Sequence, residues 1–361
     1  MKALIIAGGF ATRLRPLSCS RPKILFPIVN KPLLQWTFER LAKNDIREVI
    51  MAVNRQIGIQ IKQYGVPKGD EHIKYSYDPF KKPLGTGGPI KKAEKLVGSD
   101  STFLALNGDI FADVNYTGLL KAHDVKDAVA TIALHKTEDP SRYGVAELTK
   151  GNRIRNFVEK PPRESASSNL INAGVYAFNS KIFQYIPIGH TVSLEREVFP
   201  KLAEEGTLYG YIYDGLWCDI GKPEDYLEMN KTLLNSTKNQ PTRSYAKAEI
   251  KKPVVFDKKV SIGNKSVIGP YAVLGRNVII GNNVHIKNSI IFPETVISDS
   301  SSVDGVIIGE DVTIGQNVKI SQGCIVGDHA KIKDNVRLTK GVSVCPATEV
   351  SKSVLTSKRI C

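Results

Sequence analysis

No apolar run in this sequence approaches the length of a membrane-spanning helix. No secretory signal is expected either, because Lys2 is followed by only five apolar residues before Gly8. Cysteine is scarce and scattered. The five residues, Cys19, Cys218, Cys324, Cys345 and Cys361, form no C-x-x-C pair, so neither a disulfide framework nor a zinc site is indicated. A cytoplasmic setting follows from that usage. Low-complexity tracts and nucleic-acid-binding motifs are missing. The formal charge of +14 is therefore read as mostly solvated surface, part of it in the lysine-rich stretch 238–265. Neither a nucleic-acid nor a membrane partner is expected. The six histidines (His72, His123, His135, His190, His285 and His329) show no ligand or triad spacing and read as structural.

What is present divides in two. A chain of 361 residues has room for two or three domains. Residues 1 to about 235 alternate strand-like runs such as "KALIIA", "EVIMAV" and "TFLALNGD" with helix-like segments such as "PLLQWTFERLAKN". That order predicts an α/β domain with a mixed, mainly parallel, Rossmann-like sheet. Ligands of such sheets bind beyond the carboxyl ends of the strands. "AGGFATRLRPLSCSRPK" at 7–23 falls at such an end. Glycine allows close backbone approach, and exposed N–H groups with basic side chains suit a phosphate. On its own the stretch also reads as a tight turn with a solvated basic face.

From Val260 onward the text is periodic. Ile262, Ile268, Leu274 and Ile280 stand six apart, each followed by glycine, and the frame continues through Ile286 and Phe292. It resumes, shifted, at Ile308 and runs through Ile314, Ile320, Val326, Ile332, Leu338 and Val344. The shift is read as a small insertion or bulged corner around "VISDSSSVDG". Hexapeptide periodicity of this [LIV]-G type predicts a left-handed parallel β-helix of about five coils. The expected division is 1–235, a linker at 236–253, and 254–361.

With these motifs together, the chain resembles the sugar-1-phosphate nucleotidylyltransferases, most closely their mannose-1-phosphate guanylyltransferase group. The resemblance rests on "GGFATRLRPL", "RPK", "PLGTGGP", "LNGDI", "PSRYGV", "FVEKP", "INAGVY", "EREVFPKLAEEG" and "WCDIGKPEDY", followed by the hexapeptide repeats. One departure is Ala11, where the family usually has glycine. It implies either a tightened loop or a backbone that needs no positive φ. Cys218 replaces a more usual methionine.

The resemblance implies attack of a sugar phosphate oxygen on the α-phosphorus of a nucleoside triphosphate, with GTP and mannose 1-phosphate favoured and pyrophosphate released. Such transfer depends on positioning and charge stabilisation. Arg13 and Lys23 match the triphosphate-binding residues, with Ile6, Gly8 and Gly9 beside the nucleotide. Asp109 and Asp219 resemble the Mg²⁺ ligands. Lys160 resembles the lysine that holds the sugar's phosphate. Glu159, Asn172 and Gly144 are expected around the sugar. Base choice is expected in "PLGTGGP", through backbone groups of Gly85 and Thr86, with Gly88 where thymidylyl- and uridylyl-transferring relatives commonly carry glutamine. Homo-oligomerisation through the β-helix is expected. The alternatives are a UTP- or dTTP-dependent enzyme, a regulatory non-catalytic paralogue, which should lack Arg13, Lys23, Asp109 or Lys160, and an acyltransferase, which needs more than the isolated His329. Every residue named as catalytic precedes Ile220, so an isolated first half is expected to retain some chemistry.

Overall fold

The structure is a computed structural model describing residues 1–9, 11–65, 72–79, 83–99, 102–236, 247–339 and 341–361. It divides into two compact units, Met1–Gly9 with Leu34–Asp219 and Phe10–Leu33 with Ile220–Cys361.

The strands of the first unit that matter for the site are, in chain order, β1 (Lys2–Ile6), β2 (Glu48–Val53), β3 (His72–Tyr77), β4 (Thr102–Asn107), β5 (Ile110–Ala112), β6 (Ala130–Lys136), β7 (Gly144–Leu148), β8 (Ile154–Glu159), β9 (Leu170–Asn179), β10 (Leu208–Ile212) and β11 (Trp217–Asp219). The sheet order is β8-β7-β9-β4-β1-β2-β3, with β6 also on β9 and β10 on β6. β1 is parallel to both β2 and β4. A strand covered on both faces must be apolar throughout, which is why "ALII" shows no alternation. Ala3, Leu4 and Ile5 are fully buried there. Around β9 the pairing turns antiparallel. The sheet is therefore mixed. Helix boundaries follow local chemistry. Asn54 caps the helix Arg55–Tyr64 by accepting the Ile57 N–H, and Gly65 ends it at φ 65°.

The second unit joins residues 11–33 and the helix Pro223–Ser236 to three parallel sheets whose two- and three-residue strands follow one another in turn. This is the arrangement of a β-helix, consistent with the left-handed type. Its core is a column of aliphatic side chains, among them Ile268, Leu274, Ile280, Ile286, Ile291, Ile297, Val303 and Ile308.

That column corrects the frame. Ile291, not Phe292, stacks on Leu274 and Ile308. The step from Ile286 to Ile291 is five residues, and so is the step from Val303 to Ile308. The shift is thus two single-residue deletions, not an insertion. Each shortened corner carries a positive φ, at Asn288 (50°) and Gly305 (67°). Ordinary corners use the same conformation, often with asparagine, as at Asn277, Asn283, Asn317 and Asn335.

Residues 237–246 of the expected linker lie outside the described residues. The first rung, Glu249–Ile250, already pairs with Val267–Ile268. A second correction concerns cysteine. Ser343 pairs with Arg359 and Val344 with Ile360, so the next residues in each run, Cys345 and Cys361, meet and form a disulfide. Coil geometry aligns them, and no local motif announced it. Cys19 and Cys324 are free.

Candidate active site

In the first unit, β1 runs straight into Gly8 and Gly9. Its end is tied on both sides, by Ala7 N–H to Ala52 O and Gly108 N–H to Ile6 O, each at 2.8 Å. Asn54 Nδ2 also donates to Gly8 O at 3.3 Å. Ile6 is level with Asn107 of β4. A Cβ on Gly9 would meet nothing within 4 Å, so the chain leaves open space there. A Cβ on Gly8 would stand 2.7 Å from Asp78 Oδ2.

Asp78 was missed by sequence reasoning. It directly follows β3, and its N–H donates to Val53 O. Burial pushes its carboxyl above the ordinary value, while the Lys92 charge pulls it down. Oδ1 is buried without a hydrogen-bond partner among the described residues. The available signal was a carboxylate just past an alternating strand.

β5 and β11 pair antiparallel with Ile110 facing Asp219. Asp109 directly precedes Ile110 and directly follows Gly108, the residue bonded to Ile6. The two expected metal ligands therefore occupy neighbouring positions at the ends of two hydrogen-bonded strands, beyond the end of β1. Mg²⁺ commonly takes one or two carboxylates and fills its shell with phosphate oxygens and water. Two carboxylates fit that donor set. No cluster of three His, Cys, Asp or Glu ligands occurs among the described residues.

The sugar-side residues also converge. Gly144 pairs with Glu159, and Val145 pairs with both Val158 and Ile171. The same register brings Asn172 level with Gly144. Lys160 Nζ lies 3.2 Å from Glu159 Oε1, with the lysine side chain 58% exposed and the glutamate 15%. Lys160 takes φ 52° directly before Pro161, an uncommon backbone for a side chain. Gly144 differs from expectation. A Cβ there would meet Phe157 Cζ at 2.4 Å and Glu159 Oε2 at 3.0 Å, so its space is filled by this chain's own side chains.

Asn172 is buried. Its Nδ2 donates to Tyr176 Oη at 3.0 Å, and its Oδ1 accepts the Gly174 N–H at 2.9 Å. Asn107 Nδ2 reaches the same hydroxyl at 3.4 Å. Tyr176 thus links the end of β4 to the sugar-side group. Burial raises its phenol well above the ordinary value, keeping it neutral. β9 bulges between Asn172 and Tyr176, a common device for re-aiming side chains beside a site. Trp217 Nε1 donates to Ala173 O at 3.1 Å, and the ring packs edge-on to Tyr143.

In "PLGTGGP", Gly85 takes φ 71°, and a Cβ there would lie 2.3 Å from Val192 O. Thr86 Oγ1 donates to Glu195 Oε2 at 2.6 Å and accepts the Leu194 N–H at 2.9 Å. Its side chain is committed to this scaffold. Gly88 opens the helix Gly88–Lys92, and a Cβ would be 2.6 Å from Leu84 Cβ. Packing alone requires glycine there, so Gly88 does not by itself report the base.

Arg13 and Lys23 belong to the second unit. Arg13 is exposed on the turn Thr12–Leu14, and Lys23 is buried at the start of Lys23–Leu25. Ala11, just before the first turn, has φ 46° and ψ 45°. The positive φ is kept without glycine, contrary to the reading that this backbone does not need it. His329 Nδ1 lies 3.0 Å from Asp311 Oδ2 on the surface.

Residues 2–236 match the nucleotidyl transferase family, and residues 250–360 match the GMPPB C-terminal domain. The chain is 40% identical over 242 residues to the mannose-1-phosphate guanylyltransferase catalytic subunit beta of Danio rerio, covering 66% of each chain. The match thus spans a little under two thirds of that relative. With the same-named subunit of Drosophila pseudoobscura pseudoobscura, identity is 36% over 264 residues, covering 73% of this chain and 70% of the relative. Among solved structures, HddC from Yersinia pseudotuberculosis complexed with GMP-PN superposes with a TM-score of 0.55 at 27% identity. It covers 64% of this chain and 99% of that one.

Proposed function

The chain belongs to the nucleotidyl transferase family, and on that premise we propose that it transfers the guanylyl group of GTP to mannose 1-phosphate, giving GDP-mannose and pyrophosphate. The observation that carries the reading is the register setting Asp109 beside Asp219, directly beyond the strand that feeds Gly8 and Gly9. The choice of GTP and mannose 1-phosphate is supported by the names of the relatives and by the C-terminal domain match.

A phosphate oxygen of mannose 1-phosphate attacks the α-phosphorus, and the bond to the β-phosphate's bridging oxygen breaks. Arg13 and Lys23 balance the triphosphate's charge, the arginine through a planar fork and the lysine as a compact cation. Ile6, Gly8, Gly9, Gly85 and Thr86 border the nucleoside. Asp109 and Asp219 hold Mg²⁺, which when bound supplies positive charge to the phosphate oxygens. Lys160 holds the sugar's phosphate and screens the repulsion between the two anions. Glu159 and Asn172 bond the sugar's hydroxyls, with Gly144 packed beneath them. Residues 1–235 carry the chemistry and 254–361 assemble copies into a homo-oligomer, whose rigid, regular coils supply the surface. No helix among the described residues is long and apolar enough to cross a membrane.

The test is kcat/KM for GTP, UTP, dTTP and ATP against mannose 1-phosphate and glucose 1-phosphate. GTP with mannose 1-phosphate should be the best pair. A several-fold higher value with UTP or dTTP would reverse the base assignment.

A further inference from the structure

Residues 11–33 carry Arg13 and Lys23, yet they pack with the β-helix inside one compact unit. The contact centres on Arg21, two residues before Lys23. Arg21 is only 7% exposed. Its guanidinium pairs with Glu310, and Nη2 lies 3.8 Å from Asp328 Oδ2. Ser20 Oγ donates to the same Asp328 oxygen at 2.7 Å. The other oxygen of Asp328 accepts the Glu310 N–H at 2.8 Å. Asp328 thus binds one coil to the next and grips residues 20 and 21 together. Its place depends on Gly309, where a Cβ would lie 2.3 Å from Asp328 Oδ1.

Aromatic packing surrounds the ion pair. The Arg21 guanidinium lies 5.0 Å from the centre of the Phe292 ring. Phe292 meets Phe26 and Tyr226 edge-on. The five-residue step before Ile291 puts Ile291 in the β-helix core and leaves Phe292 outside the column to make these contacts. Farther along, Asn30 Nδ2 donates to Leu274 O at 2.9 Å.

A buried ion pair contributes little net stability compared with apolar packing, because both charges lose water. Its distinctive effect is to fix register, which sliding apolar surfaces do not. We propose that Arg21, Glu310 and Asp328 form a positioning clamp through which the β-helix sets the placement of Lys23 and Arg13 for the nucleotide. The β-helix is then part of the nucleotide-binding machinery as well as an assembly module. This rests on the reading of Arg13 and Lys23 as triphosphate-binding residues.

The test uses the full chain. Glu310→Gln removes the charge at the more exposed end of the clamp, and Arg21→Gln removes it at the other. Lys23→Ala serves as the reference. Melting curves establish that each variant is folded, and KM for Mg·GTP and for mannose 1-phosphate are measured separately. Loss of one charge-assisted contact should raise the GTP KM about tenfold and leave the sugar-phosphate KM unchanged. The double variant should be no worse than the worse single one, because both remove one device. If Glu310→Gln and Arg21→Gln lower the melting temperature without moving the GTP KM while Lys23→Ala does move it, the contact is packing only and the clamp is overturned. If Lys23→Ala leaves the GTP KM unchanged, the role given to the segment fails and the clamp with it.

Discussion

Burial acts directly on the carboxyl of Asp78. Its folded-state value is raised, so the carboxyl ionises at a cost that the unfolded chain does not bear. The cost is absent below the ordinary value of 3.8 and grows as pH rises through the folded-state value. Asp78→Asn should therefore melt at a higher temperature than the native chain at neutral pH. The gap should close as pH falls toward 3.8. A gap that persists in acid, or none at neutral pH, would show that Asp78 is not held in this way. Single residues divided sharply in legibility. Lys160 and Asp109 stood out only through the family resemblance of "FVEKP" and "LNGDI". Asp78 did not, since its neighbour Gly8 is seventy residues away in the chain and only the parallel pairing of β1, β2 and β3 brings them together. The roles of Gly144 and Gly88 were similarly hidden. The atoms that exclude a side chain there, from Phe157 and Leu84, are visible only in the fold.

At the scale of elements, periodicity carried most of the fold. Six-residue spacing located the coils, and alternation of strand and helix signals located the sheet. What failed was frame-keeping. Phe292 is apolar and buried, so it satisfied the pattern as well as Ile291 did, and spacing could not distinguish a core position from a docking one. The loop "PLGTGGP" offers a firmer case. Gly85 combines φ 71° with a carbonyl oxygen 2.3 Å from where a Cβ would stand. Gly85→Ala should cost on the order of 1–3 kcal/mol through backbone strain and displacement of the Val192 carbonyl. Denaturant unfolding measures it, and an unchanged midpoint would mean the loop relaxes freely.

Over the whole molecule, the sequence order of the two halves hid how the chain is distributed. Residues 11–33 sit early in the text among catalytic motifs, and every residue named for chemistry precedes Ile220. That made the second half look dispensable. Yet residues 11–33 cluster with the β-helix, and Arg21 ends on carboxylates about three hundred residues away. Long-range ion pairs leave no local pattern, and for that reason the clamp could not be read from the text. The central claim remains chemical: a sugar phosphate displaces pyrophosphate at the α-phosphorus of GTP. It is tested most directly with GTP labelled at either its α- or its γ-phosphorus, incubated with mannose 1-phosphate and Mg²⁺. The account predicts the α label wholly in a nucleotide sugar and the γ label wholly in pyrophosphate. Release of the γ label as inorganic phosphate, or its transfer to the sugar, would contradict it.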